Sequence, residues 1–291
     1  MSKLAQRLLV FLLGVPAVAA LVLLLPHRGH LALGLAVVFF SAVGAAEFSA
    51  MLGRRGLGVP KLEAALLGAL LPAAALISRA LGLCSPAALA PAFLAAGAAW
   101  LLLSRLFRMG AELDGFAGGV AGGLSAMLYP GAFMMWIVAM ARWDGAGAAI
   151  IAFLAMVFGG DSLAWAAGML FGKGNRGIVP ASPNKSAAGF AGGVLGPMIV
   201  GAGAALLFPE IFAPSRGGAL GLPAFAGALA GLIVGCAAIL GDLAESALKR
   251  SAGVKDSGSF IIGRGGVLDS VDSVAMAAPA FYACFALLFL P

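Results

Sequence analysis

Charge is what this sequence has least of. Asp, Glu, Lys and Arg make up 10% of its 291 residues, against 62% hydrophobic, and mean hydropathy is +1.07. So few charges cannot clothe a water-soluble surface, which excludes an ordinary soluble domain of this length. Sustained strand-type alternation is missing, which excludes a transmembrane barrel. No Ser/Pro-rich linker and no clear internal repeat divides the chain. The three cysteines, Cys84, Cys236 and Cys284, show no CxxC spacing. They are expected to be buried apolar residues, not disulfides or metal ligands. The two histidines, His27 and His30, flank one loop and are expected to be solvated. There is no P-loop and no nucleophile–His–Asp set. The net charge of +6 does not indicate nucleic acid, because the basic residues are scattered among loops at the ends of apolar runs.

What remains is a series of apolar runs, each long enough to cross a bilayer. The expected fold is an all-α polytopic integral membrane protein with about nine transmembrane helices. They are placed at about 6–25, 31–52, 62–81, 87–104, 116–141, 146–170, 187–208, 220–249 and 271–290. Residues 1–291 are read as a single membrane domain. Within it, 1–110 are N-terminal helices with little motif content, and 146–291 hold the informative helices and loops. The first helix is expected to stay uncleaved, despite the Val18-Ala19-Ala20 stretch, because many spans follow it. The 43 glycines suit close helix packing in lipid. Of the 18 Lys and Arg residues, fourteen fall on the side that holds the N-terminus, and only Arg28, Arg79, Arg142 and Arg216 fall on the other. The positive-inside rule then puts the N-terminus and both large polar loops, 171–186 and 250–270, on the cytoplasmic side of an inner membrane. Trp100, Trp136, Trp143 and Trp165 are expected to pack or anchor, not to stack on a nucleotide.

The stretch 241–273 stands out. It holds nine charged residues: Asp242, Glu245, Lys249, Arg250, Lys255, Asp256, Arg264, Asp269 and Asp272. Asp242, Glu245, Ser246 and Lys249 share one helix face. Asp269 and Asp272 are three apart, so a helix starting near Asp269 shows both carboxylates on one side. Carboxylates suit a hard cation such as Mg²⁺, while basic groups and glycine-rich backbone suit phosphate. A second region follows Asp161, which lies about nine residues, or about 14 Å at ~1.5 Å per residue, inside its helix. A carboxylate at that depth needs a metal, a base, a proton or water. The loop after it carries Lys173, Arg176, Ser182, Lys185 and Ser186, which suits an anion or simple membrane anchoring. Glu47 is a further intramembrane acid, read either as functional or as a snorkelling interfacial residue.

The order Ser246-Ala-Leu-Lys249-Arg250, four residues, Lys255-Asp256, then Gly265-Gly266-Val267-Leu268-Asp269-Ser270-Val271-Asp272 resembles the signature of the phosphatidate cytidylyltransferases, or CDP-diacylglycerol synthases. Asp161-Ser162, Phe171-Gly172-Lys173, Ser182-Pro183-Asn184-Lys185-Ser186, Gly189 and Gly192-Gly193 resemble a second region of the same family. The likeness covers roughly the last 130 residues. Arg264 stands where the family usually has His, Ser270 where it has Arg, Asn184 where Lys is common and Ala188 where Glu is common. The resemblance implies transfer of the cytidylyl group of CTP to phosphatidate, giving CDP-diacylglycerol and pyrophosphate. It implies Asp242, Asp269 and Asp272 as ligands of Mg²⁺, with room for a second cation, and Lys249 and Asp161 as further catalytic groups. Lys185, Ser182, Ser186, Ser246, Arg250, Lys255, Asp256, Arg264, Gly265 and Gly266 are the implied substrate-binding set, with Glu245 supporting it. CTP, phosphatidate and membrane lipid are the implied partners, nucleic acid is not, and a homodimer is allowed. Two alternatives stay open: another CTP-dependent membrane lipid enzyme, such as a polyprenol kinase, and an ion-coupled transporter using Glu47, Asp161 and Asp242.

Overall fold

The computed structural model describes residues 3–108, 114–215, 217–261, 263 and 265–290, with backbone alone for 3–11, 108 and 218. Arg216 and Arg264 lie outside the described residues. Among the described residues ten α-helices follow in order: α1 Lys3–Leu23, α2 His27–Gly53, α3 Lys61–Ala80, α4 Pro86–Arg108, α5 Phe116–Met127, α6 Met135–Met140, α7 Ala146–Phe171, α8 Ala187–Leu207, α9 Pro223–Ser251 and α10 Leu268–Leu288. Among the described residues, eight spans are long and apolar enough to cross a membrane, and Leu12–Leu23 is a shorter apolar helix. The chain is a polytopic all-α membrane protein.

One expected span is not a single regular helix. Residues 116–141 form α5 and α6 joined through a π-helical turn, Leu128–Ala132. Pro130 has no N–H to give the ladder, and the turn widens around it so that Phe133 N donates to Leu128 O at 3.1 Å. The widened turn lets Gly131 approach α3: a Cβ there would stand 2.7 Å from the Gly68 carbonyl oxygen.

The chain forms two units, Met1–Arg142 with Leu248–Val271, and Trp143–Ala247 with Asp272–Pro291. In the first, α2 and α3 pack through small residues; Gly68 lies against Ala45 and the Ser41 carbonyl. Its buried charge is paired. Glu63, in the first turn of α3, bonds Arg105 of α4 and accepts from Trp100 Nε1 and Ser104 Oγ, each at 3.2 Å. In the second unit, α7, α8 and α9 meet backbone to backbone. A Cβ on Gly201 would stand 2.1 Å from the Gly227 carbonyl oxygen, and one on Gly227 would stand 2.2 Å from that of Gly201. Helices without a hydrophobic driving force between them gain van der Waals contact this way. Trp143 stacks on Phe285, with centroids 4.4 Å apart and 16° between planes, in a cluster with Phe153, Phe212, Phe281 and Phe289. Trp100 and Trp143 thus serve packing and hydrogen bonding.

Two expectations from the sequence are corrected. His30 is buried, not solvated: residues 28–30 take left-handed backbone angles, with φ of 48°, 65° and 58°, and His30 is 7% exposed. Only Cys284 is buried. Cys84 sits in the turn between α3 and α4, and Cys236 on a face of α9 that the chain leaves uncovered; all three are free thiols.

Candidate functional site

In the first unit the glycine-rich signature folds into a loop closed by two carboxylates. α9 ends at Ser251 and α10 begins at Leu268, so the segment between must satisfy its backbone polar groups without a helix. Ile261 and Gly265 do so reciprocally, N to O at 2.7 and 3.0 Å. Gly265 takes φ of +107°, which suits glycine, and Gly263 takes +80°.

Asp269 organises the rest. Its Oδ1 accepts from Lys249 Nζ at 2.6 Å. Its Oδ2 accepts from Gly266 N at 2.7 Å, Ser257 N at 2.9 Å and Ser257 Oγ at 3.0 Å. The pair is well covered, with Asp269 6% and Lys249 14% exposed in their side chains. Glu47 of α2 completes the closure: its Oε2 accepts from Leu268 N at 3.0 Å and lies 3.3 Å from Ser257 Oγ. Both carboxylates sit at the N-terminus of α10, where the helix dipole favours negative charge. Gly266 is required sterically, since a Cβ there would stand 2.1 Å from Ser257 Oγ and 2.4 Å from Glu47 Oε2.

Of the other sequence candidates in this unit, Lys255, Asp256 and Arg250 are exposed. Asp256 borders Gly265, and Arg250 donates to Val254 O at 3.4 Å.

In the second unit the 172–186 loop brings a lysine to α9. Arg176 and Ser186 bridge, Gly177 N donates to Lys185 O at 3.3 Å, and Ala187 N donates to Asn175 O at 3.0 Å. Ser186 caps α8, accepting from Gly189 N at 3.0 Å. Ser182 contributes its carbonyl to Lys185 N at 3.1 Å. Lys185 is thereby presented to Asp242, with which it forms an ion pair, and stands 5.9 Å over the Phe190 ring. Ser246 Oγ donates to Asp242 Oδ1 at 3.4 Å. Gly241, the neighbour of Asp242, packs on α10, where a Cβ would stand 2.7 Å from the Asp272 carbonyl oxygen. Asp272 is buried and its Oδ1 accepts from Ser273 N at 2.6 Å. Glu245 is fully buried. Asp161 lies within α7 on a face exposed in the chain.

The structure therefore joins Lys249 with Asp269, Lys185 with Asp242 and Asp242 with Ser246. Among the described residues no group of three or more Asp, Glu, His or Cys side chains gathers as a cation site. Carboxylates such as Asp242, Asp269 and Asp272 have the donor chemistry for a hard cation, since Mg²⁺ is commonly held by one or two carboxylates plus waters and substrate phosphates. Asp242 and Asp269 are each paired with a lysine, so either takes a cation only where Lys185 or Lys249 gives way. Sequence reasoning missed Ser257, whose bonds to both carboxylates have no spacing signature. Glu47 stood out as an intramembrane acid, but its partners did not.

Comparison with known proteins gives the family. A model described as the cytidylyltransferase family matches residues 5–288. A phosphatidate cytidylyltransferase of Synechocystis is 55% identical over 65 residues, 22% of each chain. That of Pseudomonas aeruginosa is 35% identical over 148 residues, 50% of this chain and 51% of the relative. The uncharacterised protein YnbB of Escherichia coli is 37% identical over 139 residues, 47% of this chain and 42% of the relative. The chain spans about half or less of the length of these relatives. With its family model running nearly end to end over membrane helices that carry the lysine–aspartate pairs, the chain belongs to the cytidylyltransferase family.

Proposed function

We propose that the chain joins the phosphate of phosphatidate to the α-phosphorus of CTP, forming CDP-diacylglycerol. A lipid phosphate oxygen attacks the α-phosphorus, the bond to the β-phosphate bridging oxygen breaks, and pyrophosphate leaves. No protein nucleophile is needed. The observation that carries the reading is the Lys249–Asp269 pair, clasped by the signature loop at the start of a membrane helix. Relatives named phosphatidate cytidylyltransferase support it.

The two substrates are anionic and repel one another, so the protein's task is charge compensation and alignment. Lys185 and Lys249 each hold a carboxylate and each can exchange it for a phosphate oxygen. Lys255 and Arg250, both exposed, suit the triphosphate. Asp242 and Asp272 are the residues that would hold Mg²⁺, which would supply neutralising charge to the triphosphate and the leaving pyrophosphate. The diacylglycerol part stays in lipid while its phosphate meets CTP at the cytoplasmic face of the inner membrane, the side favoured by the basic residues.

The test uses purified protein in proteoliposomes with phosphatidate, Mg²⁺ and CTP labelled at either the α- or the γ-phosphorus. α-Label should enter the lipid and γ-label should leave as pyrophosphate, and Asp269→Asn should abolish both. γ-Label in the lipid would instead identify a kinase, and an unaffected Asp269→Asn would remove the site assignment.

A further inference from the structure

Asp269 is bonded through both oxygens. Three donors from the loop reach Oδ2, and Lys249 donates to Oδ1. Two of the three loop donors come from Ser257. That hydroxyl has one proton and two carboxylates to serve, Asp269 Oδ2 at 3.0 Å and Glu47 Oε2 at 3.3 Å, and it also accepts from Asp269 N at 3.3 Å. Both carboxylates lie within reach of that proton, and Glu47 also has the Leu268 amide at 3.0 Å as a donor. Gly258 and Gly266 leave no room for a Cβ between this hydroxyl and Glu47: Cβ atoms would stand 2.3 and 2.4 Å from the Glu47 carboxylate oxygens. The loop is therefore shaped around Glu47, a residue from α2.

We infer that Glu47 and Ser257 are positioning residues: together they pin the signature loop to α2 and hold Asp269 in place beside Lys249. Glu47 touches no reacting atom; it acts through the α10 amide and Ser257. Ser257 acts through Asp269. This rests on the proposed cytidylyl transfer and adds two residues that the signature does not include.

The experiment compares Ser257→Ala, Ser257→Thr, Glu47→Gln and Glu47→Ala with wild type, in proteoliposomes, for CDP-diacylglycerol formation, for thermal unfolding, and for amide exchange at Gly266 and Leu268. Ser257→Ala should lower kcat about 10–100-fold while the KM for CTP moves less than about threefold, as for a partner that orients a catalytic group. Ser257→Thr, which keeps the hydroxyl, should restore most of the rate. Glu47→Ala should speed Leu268 amide exchange at least ~10-fold, and Glu47→Gln, which keeps an acceptor oxygen, should not. Activity that falls only in step with the unfolded fraction, without rescue by threonine, would overturn the inference. So would unchanged exchange at Leu268 in Glu47→Ala. A wild type that forms no CDP-diacylglycerol defeats the proposed function instead, and amide exchange then judges the clasp by itself.

Discussion

Replacing Gly266 by alanine puts one methyl group where the signature loop is tightest. The new Cβ would stand 2.1 Å from Ser257 Oγ, 2.4 Å from Glu47 Oε2 and 2.7 Å from the Gly258 backbone nitrogen. The first two are side-chain atoms and can turn away; the third is backbone and cannot. Overpacking of this kind costs about 1–3 kcal/mol. Backbone displacement also stretches the bond from Gly266 N to Asp269 Oδ2, now 2.7 Å, a charged hydrogen bond with a net value of about 1.5–3 kcal/mol. Together, allowing for partial relaxation, the loop loses about 2–5 kcal/mol relative to its native closure. Gly203→Ala is the matched control, because a Cβ there, about one turn from the C-terminal end of α8, meets nothing within 4 Å. CDP-diacylglycerol formation in proteoliposomes and thermal unfolding in detergent should both read the difference. Gly266→Ala should lose at least ~10-fold in rate, the equivalent of 1.4 kcal/mol, while Gly203→Ala stays near wild type. A Gly266→Ala protein with full rate and unchanged melting would refute the steric account of the loop.

Other outcomes follow from the charge pairs and the glycine seam. Arg105→Ala removes a cation bonded to the buried Glu63 and should destabilise the chain by about 3–5 kcal/mol, read as a fall in melting temperature; the double change Glu63→Leu with Arg105→Leu should recover part of it. Asp242→Asn should cut product formation at least ~100-fold, and chelation of Mg²⁺ should do the same in wild type, reversibly on adding the cation back. Gly227→Leu, at a contact where even a Cβ would stand 2.2 Å from the Gly201 carbonyl oxygen, should prevent recovery of folded protein, whereas Gly203→Leu should not.

The helices were largely legible in the sequence because long apolar runs have one reading in a membrane. The exception was 116–141, where Pro130 sits between apolar neighbours and hydropathy does not register a change of hydrogen-bond register. The signature residues Lys249, Asp269, Gly265 and Gly266 were legible by their order, and the structure brings Lys249 to Asp269. What the order could not give was partnership across the chain. Glu47 and Leu268 are 221 residues apart, and Glu63 and Arg105 are 42 apart, and neither distance leaves a periodic trace. Ser257 was invisible because a lone serine after Lys255-Asp256 is ordinary in a loop, and its value lies in which two acids it reaches. His30 was misjudged because nothing in the neighbouring residues except Gly29 announces a left-handed turn.

The bond from the Leu268 amide to Glu47 has a bearing on how the protein is made. A ribosome adding ~5–20 residues per second delivers Glu47 to the bilayer roughly 10–45 s before Leu268 emerges. During that interval the nascent chain carries an acid in a hydrophobic segment with its eventual donor not yet synthesised. Synthesis of α10 thus completes the signature loop, and a translation stalled before it leaves the earlier spans in the membrane without that closure.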